Sequence, residues 1–272
     1  VRVPLDGIDI IDSSGSSQLE AYAELYLEAR PQAKASVARR LVARPLYFGG
    51  SMLRAGDAHA MLAGAANPTA RVIEACLATV GLADDINTPA SAFLMLLHDG
   101  AGLERQLIYA DCAVNVDPSA TQLADIAISA AATASTLLEA TPRVAMLSFS
   151  TKGSANHSRA HKVAEASALA AVRIPEIPID GELQADTALD ERVASLKLSE
   201  PGAVAGRANV LVFPDLDSGN IAYKLTQYLA GARAIGPLLL GFSHPVADVS
   251  RGATVDDIVD TAIVTLAGTL PG

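Results

Sequence analysis

The sequence predicts an α/β fold built on a largely parallel sheet, and three observations carry that prediction. Short apolar runs such as 143–149 and 208–213 lack polar alternation, as strands buried on both faces do. Longer stretches with helical spacing separate these runs. Finally, 50% of the 272 residues are hydrophobic but only 4% are aromatic and none is Trp, so the core is aliphatic. Strands alternating with helices around such a core make a layered α/β arrangement.

The elements follow in order. Residues 7–12 read as a short apolar strand, and 18–30 as a helix with Leu19, Ala23, Leu25, Tyr26 and Leu27 among charges. Residues 37–63 read as helical with a break at Gly49-Gly50, and 70–80 as a further helix. Residues 106–110 are strand-like and end at Asp111. Ser119 and Gln122, at capping-box spacing, open a long Ala-rich helix that runs to about Glu139. Strand 143–149, helix 157–171, strand 208–213, helix 218–231 and an apolar run at 238–240 come next. A helix from Val255 to about Ala267 closes the chain. Periodicity assigns no element to 172–205.

Composition excludes several functions. The formal net charge is −10, and no run of Lys or Arg supplies the basic face a general nucleic-acid binder needs. Two cysteines, Cys76 and Cys112, cannot form a disulfide framework and fit a reducing compartment. No apolar stretch reaches the roughly 18 residues of a membrane span. The opening Val1-Arg2-Val3-Pro4 has no signal-peptide pattern. The expectation is a cytoplasmic protein that binds neither nucleic acid nor membrane.

In a parallel sheet, chemistry sits in the turns that follow the carboxyl ends of strands. Four turns qualify. Ser148–Ala155 contains Ser150, Thr151, Lys152, Gly153 and Ser154, small residues whose N–H groups can approach an anion beside a lysine. It lacks Walker spacing, and from composition alone a flexible polar loop is the stronger reading. In the turn 213–220, Asp217 or Ser218 can cap the following helix, which leaves Asn220 and Lys224 as surplus polar groups. The turn 248–252 offers the Ser250 hydroxyl, the Arg251 fork and the compact Gly252. Thr254 and Asp257 have capping-box spacing, so Asp257 is either a helix cap or a carboxylate base beside Ser250 and Arg251. The histidines at 59, 98, 157, 161 and 244 have no metal-ligand spacing. Neither a nucleophile elbow nor a dinucleotide fingerprint occurs. Cys112 is either a buried thiol or a nucleophile.

The runs Val144–Ala155, Asp180–Gln184, Ala208–Lys224 and Ala234–Gly252 together resemble the phosphate acetyltransferase (phosphotransacetylase) family over essentially the whole chain. The resemblance implies two three-layer α/β/α domains with an interdomain cleft, of the isocitrate/isopropylmalate dehydrogenase-like kind. The first would comprise 1–90 plus 243–272, without the family's opening strand–helix–strand segment, and the second 91–242. It implies reversible acetyl transfer between coenzyme A and inorganic phosphate in a homodimer. No metal or tightly bound cofactor is implied, and coenzyme A is a substrate. Ser250, Arg251 and Asp257 match the family's catalytic positions, and Arg30 matches a coenzyme A-binding arginine. Where the family has a second substrate arginine this chain has Glu74, so Arg71, on the same helix face, is the candidate replacement. Ser150, Thr151, Lys152, Gly153, Ser154, Asn220 and Lys224, read above from their turns, complete the expected substrate-binding set. Rival readings are a butyryl or other acyl transferase of this fold, a non-catalytic regulatory homologue, and a nucleotide-dependent dehydrogenase.

Overall fold

The computed structural model describes residues 6–98 and 104–269. The opening Val1–Pro4, read above for a signal pattern, lies outside them. Eight strands are present among the described residues: β1 (Met61–Ala63), β2 (Ala90–His98), β3 (Glu104–Ala110), β4 (Val144–Leu147), β5 (Ile179–Leu183), β6 (Val210–Val212), β7 (Arg233–Leu240) and β8 (Val246–Asp248). They form one continuous sheet in the order β1-β8-β7-β2-β3-β6-β4-β5. The β1–β8, β3–β6, β6–β4 and β4–β5 pairs are parallel. The β8–β7, β7–β2 and β2–β3 pairs are antiparallel. The predicted mixed α/β class and mostly parallel sheet therefore hold, with an antiparallel centre joining two parallel ends.

The helices are α1 (Leu19–Glu28), α2 (Ala35–Val42), α3 (Pro45–Ala55), α4 (Thr69–Thr79), α5 (Ala120–Leu137), α6 (Ser158–Arg173), α7 (Ala185–Leu189), α8 (Glu191–Lys197), α9 (Leu216–Ala230) and α10 (Val255–Ala267). One sheet face packs on α5 and α6 through small residues, among them Ala127, Ala130, Ala131, Val163, Ala166 and Val210, all fully buried or nearly so. Alanine at these contacts lets helix and sheet approach closely. The other face carries α7, α8 and α9 over Tyr109, Leu211 and Leu183. Farther along that face, α3 and α4 bury Leu53, Val72 and Cys76 against Leu239 and Val246.

Several expectations are corrected. Residues 7–12 form no strand, because among the described residues no strand pairs with them and Ile8, Ile10 and Ile11 stay exposed. The break in 37–63 falls at Arg44, where Pro45 opens α3, a position that suits a residue without an N–H. Gly49 and Gly50 continue that helix, and a Cβ at Gly50 would strike the Thr79 hydroxyl on α4. The glycine is thus a packing notch, not a break. The end of 37–63 is not helical but forms β1, and β8 is likewise only three residues long; the apolar run of the nine-residue β2 has a periodicity that does not distinguish strand from buried helix. The unassigned 172–205 contains β5, α7 and α8. Asp215 caps α9 by accepting the Ser218 N–H at 2.9 Å, in place of Asp217 or Ser218. Both predicted capping boxes are present, Ser119 with Gln122 and Thr254 with Asp257.

Candidate active site

The candidate residues separate into two groups. From β8 to β3 every pairing is antiparallel. The carboxyl ends of β1 and β8 therefore face one end of the sheet, and those of β3, β6, β4 and β5 face the other. Five strand spacings separate β8 from β4, roughly 24 Å across the sheet. Ser250, Arg251 and Asp257 follow β8, whereas Ser150–Ser154 follow β4.

The group after β4 satisfies itself. Ser150 is fully buried and donates to Glu182 Oε1 at 2.9 Å. The Gly153 N–H donates to the same oxygen at 2.7 Å. Thr151 exchanges bonds with Gln184, and the Thr151 N–H donates to Ser154 Oγ. Lys152 pairs with Asp180 and also donates to the Gly181 carbonyl. Burial pushes the Glu182 carboxyl up, but the Gly153 N–H, the Ser150 hydroxyl and Lys152 together hold it below its ordinary value. The anion in this cradle is the protein's own Glu182. The sequence signal for it was the run Asp180–Gln184, noted as a motif but given no role.

On α9, Asn220 donates to the Cys112 carbonyl at 3.0 Å, and a Cβ at Gly219 would strike the Asp111 carbonyl oxygen. Both contacts lock α9 onto the loop that follows β3. Asp111 itself is buried and accepts from Ser91, Val114 and Asn115. Lys224 is exposed, with its ammonium 5.1 Å from the Tyr223 ring. Cys112 is fully buried, and burial followed by the nearby Asp111 charge raises its thiol well above the ordinary value. Both effects disfavour the thiolate that a nucleophile needs.

The group after β8 is open. β8 and β1 lie side by side and parallel, with Ala63 opposite Asp248 and the Val249 N–H donating to the Ala63 carbonyl at 2.8 Å. The turn after β1 leads into α4, whose N-cap is Pro68 with no side-chain cap. The turn after β8 carries Ser250 and Arg251, both exposed. Ser250 Oγ accepts the Gly252 N–H at 3.2 Å, which leaves its proton free to donate. Among the described residues Arg251 has no hydrogen-bond or ion-pair partner. Asp257 is exposed in the first turn of α10; one of its oxygens accepts the Thr254 N–H at 2.8 Å. An uncapped helix N-terminus thus follows β1, and a guanidinium and a hydroxyl follow the adjacent parallel strand β8 at the same end of the sheet, an arrangement suited to an anion.

The other two candidate arginines, Arg30 and Arg71, are engaged. Arg30 donates to the Leu77 and Ala78 carbonyls at 2.9 and 2.5 Å and lies over the Tyr26 ring. These carbonyls end α4, so Arg30 sits at the far end of that helix from Ser250, roughly 15 Å away along it. Arg71 pairs with Glu74 at 2.7 Å. The Arg71 bond holds the Glu74 carboxyl below its ordinary value, with a lesser contribution from the Tyr47 hydroxyl. No three His, Cys, Asp or Glu side chains cluster as metal ligands among the described residues. No helix there is long and apolar enough to cross a membrane.

Comparison with known proteins bears on the same chain. The family described as phosphate acetyl/butaryl transferase matches residues 1–266. A phosphate acetyltransferase of Acetivibrio thermocellus is 43% identical over 97% of this chain and 80% of its own length. One from Thermoanaerobacterium thermosaccharolyticum is 44% identical over 97% of this chain and 83% of its own. Among solved structures, a EutD phosphotransacetylase from Staphylococcus aureus superposes with a TM-score of 0.88 at 35% identity, covering 98% of this chain and 81% of the other.

Proposed function

The chain belongs to the phosphate acetyl/butaryl transferase family, and from that premise we propose that it transfers an acetyl group reversibly between coenzyme A and inorganic phosphate. The observation that carries this reading is the placement of Ser250 and Arg251 after β8 and of the uncapped N-terminus of α4 after β1, two adjacent parallel strands, with Arg251 unpaired among the described residues.

The roles follow from the chemistry of each group. Arg251 and the α4 N–H groups hold the phosphoryl oxygens of acetyl phosphate. The coenzyme A thiol gives its proton to the free oxygen of Asp257, and the thiolate attacks the acetyl carbonyl. Ser250 donates to the oxyanion that develops. The tetrahedral centre collapses to the thioester, and phosphate leaves on Arg251. A free carboxylic acid and a free thiol differ by about 4–5 pKa units, so full transfer costs roughly 6 kcal/mol. Holding two substrates in register supplies roughly 7–11 kcal/mol, and one oxyanion donor roughly 3–4 kcal/mol. Orientation therefore carries the reaction, and proton transfer assists it.

The test is direct thioester formation from coenzyme A and acetyl phosphate. Asp257→Asn is expected to cut turnover about 10²- to 10⁴-fold with the melting temperature nearly unchanged. Loss of the α10 helix with full activity per folded molecule would leave Asp257 as a cap alone. Butyryl phosphate in the same assay measures the acyl preference.

Two further assignments belong to this reading. The division expected into 1–90 plus 243–272 and 91–242 would have its boundary between β7 and β8, strands that pair within the one sheet through two register pairs. The homodimer is supported by the exposed stripe Ile221, Leu225, Tyr228 and Leu229 on α9, whose spacing lines one helix face.

A further inference from the structure

Beneath the Ser250–Arg251 turn lies a carboxylate to which no role has been given. Asp248 ends β8, two residues before Ser250, and is 2% exposed. Its Oδ2 accepts the Thr69 hydroxyl at 2.5 Å, whereas its Oδ1 is buried without a partner among the described residues. Thr69 is the first residue of α4. Gly64 closes over Oδ1; its φ is +105°, and a Cβ there would strike both Asp248 Oδ1 and the Val249 carbonyl oxygen. Below it, the Cys76 thiol is buried and pushed up to about 12, first by burial and then by Asp248. A buried carboxyl with one oxygen unsatisfied is costly. Such a group persists where geometry is needed more than stability.

We propose that Asp248 is a positioning residue that fixes the Ser250–Arg251 turn against the N-terminus of α4. Its backbone carries the turn, and its side chain grips Thr69. One residue thus sets the distance between Arg251 and the α4 N–H groups, the two halves of the phosphoryl cradle. Gly64 keeps the space that this grip requires. The Val249–Ala63 backbone bond holds the strands and Val246 packs on Val72 and Cys76 of α4; the Asp248 side chain adds the polar link to the first residue of that helix. The proposal rests on the acetyl-transfer reading for its kinetic test and on phosphate binding alone for its second test.

Five enzymes are compared in the full chain: wild type, Asp248→Ala, Asp248→Asn, Thr69→Val and the Asp248→Ala/Thr69→Val double variant. Misplacement of a cradle by about 1 Å costs on the order of 10²-fold. Asp248→Ala is therefore expected to lower kcat/KM for acetyl phosphate about 10²-fold, largely through KM, with little change in KM for coenzyme A. Asp248→Asn keeps an oxygen for Thr69 and recovers kcat/KM to within about threefold. Thr69→Val lowers it about tenfold, and the Asp248→Ala/Thr69→Val pair is no worse than Asp248→Ala alone, because both changes break one link. Additive losses that track the melting temperature would overturn the proposal, as would an Asp248→Asn enzyme as weak as the alanine variant. The second readout is protection of Arg251 from phenylglyoxal by inorganic phosphate, read by mass spectrometry. Wild type is expected to be protected and Asp248→Ala is not. If wild type makes no thioester but shows this contrast, the acetyl-transfer reading fails and the positioning role stands. Equal protection of the two, or of neither, overturns it.

Discussion

Arg251 and Asp248 sit three residues apart and make opposite demands. Arg251 is exposed and unpaired among the described residues, so removing it disturbs no packing. A lost hydrogen bond to a charged group is worth about 1.5–3 kcal/mol. Arg251→Ala is accordingly expected to raise KM for acetyl phosphate about tenfold to a hundredfold at constant melting temperature. Arg251→Lys, which keeps the charge but not the fork, recovers part of it. Asp248 is raised above its ordinary value by burial, against the pull of the Thr69 hydroxyl. Its folded pKa exceeds the unfolded one, so its contribution to stability is full below about pH 3.9 and lost as pH rises through the folded value. Calorimetry from pH 4 to 8 is expected to find Asp248→Asn melting above wild type at pH 8, with the gap closing toward pH 4. At this scale the sequence was informative where a residue acts on its near neighbours. The Thr254–Asp257 box was legible from spacing, as was the Ser250–Arg251 pair. The Asp248–Thr69 bond was not, because its partners are 179 positions apart.

The turn after β4 makes the point for elements. Small residues and a lysine announced an anion cradle, and a cradle is what forms, but Glu182 from β5 fills it. The folded pKa of Glu182 is depressed, so its stabilisation is present above about pH 4.3 and disappears as pH falls through the folded value. Glu182→Ala leaves the Ser150 hydroxyl and the Gly153 N–H without their acceptor. It is expected to lower stability by about 2–3 kcal/mol at pH 7, with the deficit shrinking below pH 4 in urea titrations. An unchanged midpoint at pH 7 would mean that solvent replaces the carboxylate. Strong, long elements such as α5 and α10 could be read from periodicity and caps. β8, three residues long, could not, since only its pairing with β1 and β7 makes it a strand.

For the whole molecule, the charge of −10 sets a problem that local structure answers. Acetyl phosphate and coenzyme A are anions and meet a repelling field at a distance. Arg30, Arg71 and Lys152 are all engaged by backbone carbonyls or carboxylates, whereas Arg251 follows β8 with no ion-pair partner among the described residues, beside the N-terminus of α4. The exposed α9 stripe carries the assembly prediction: Leu225→Glu with Leu229→Glu is expected to convert a dimer to a folded monomer in sedimentation velocity. The same mass for wild type and variant would remove α9 from the interface. The aliphatic composition and the strand–helix alternation, both local properties, were enough to establish the α/β class. They also located the turns where polar groups gather. Which turns face one another was decided only by the antiparallel centre of the sheet. Reversing direction between β8 and β3, it sends Ser250 and Ser150 to opposite ends, and no local pattern encodes the sense in which distant strands pair.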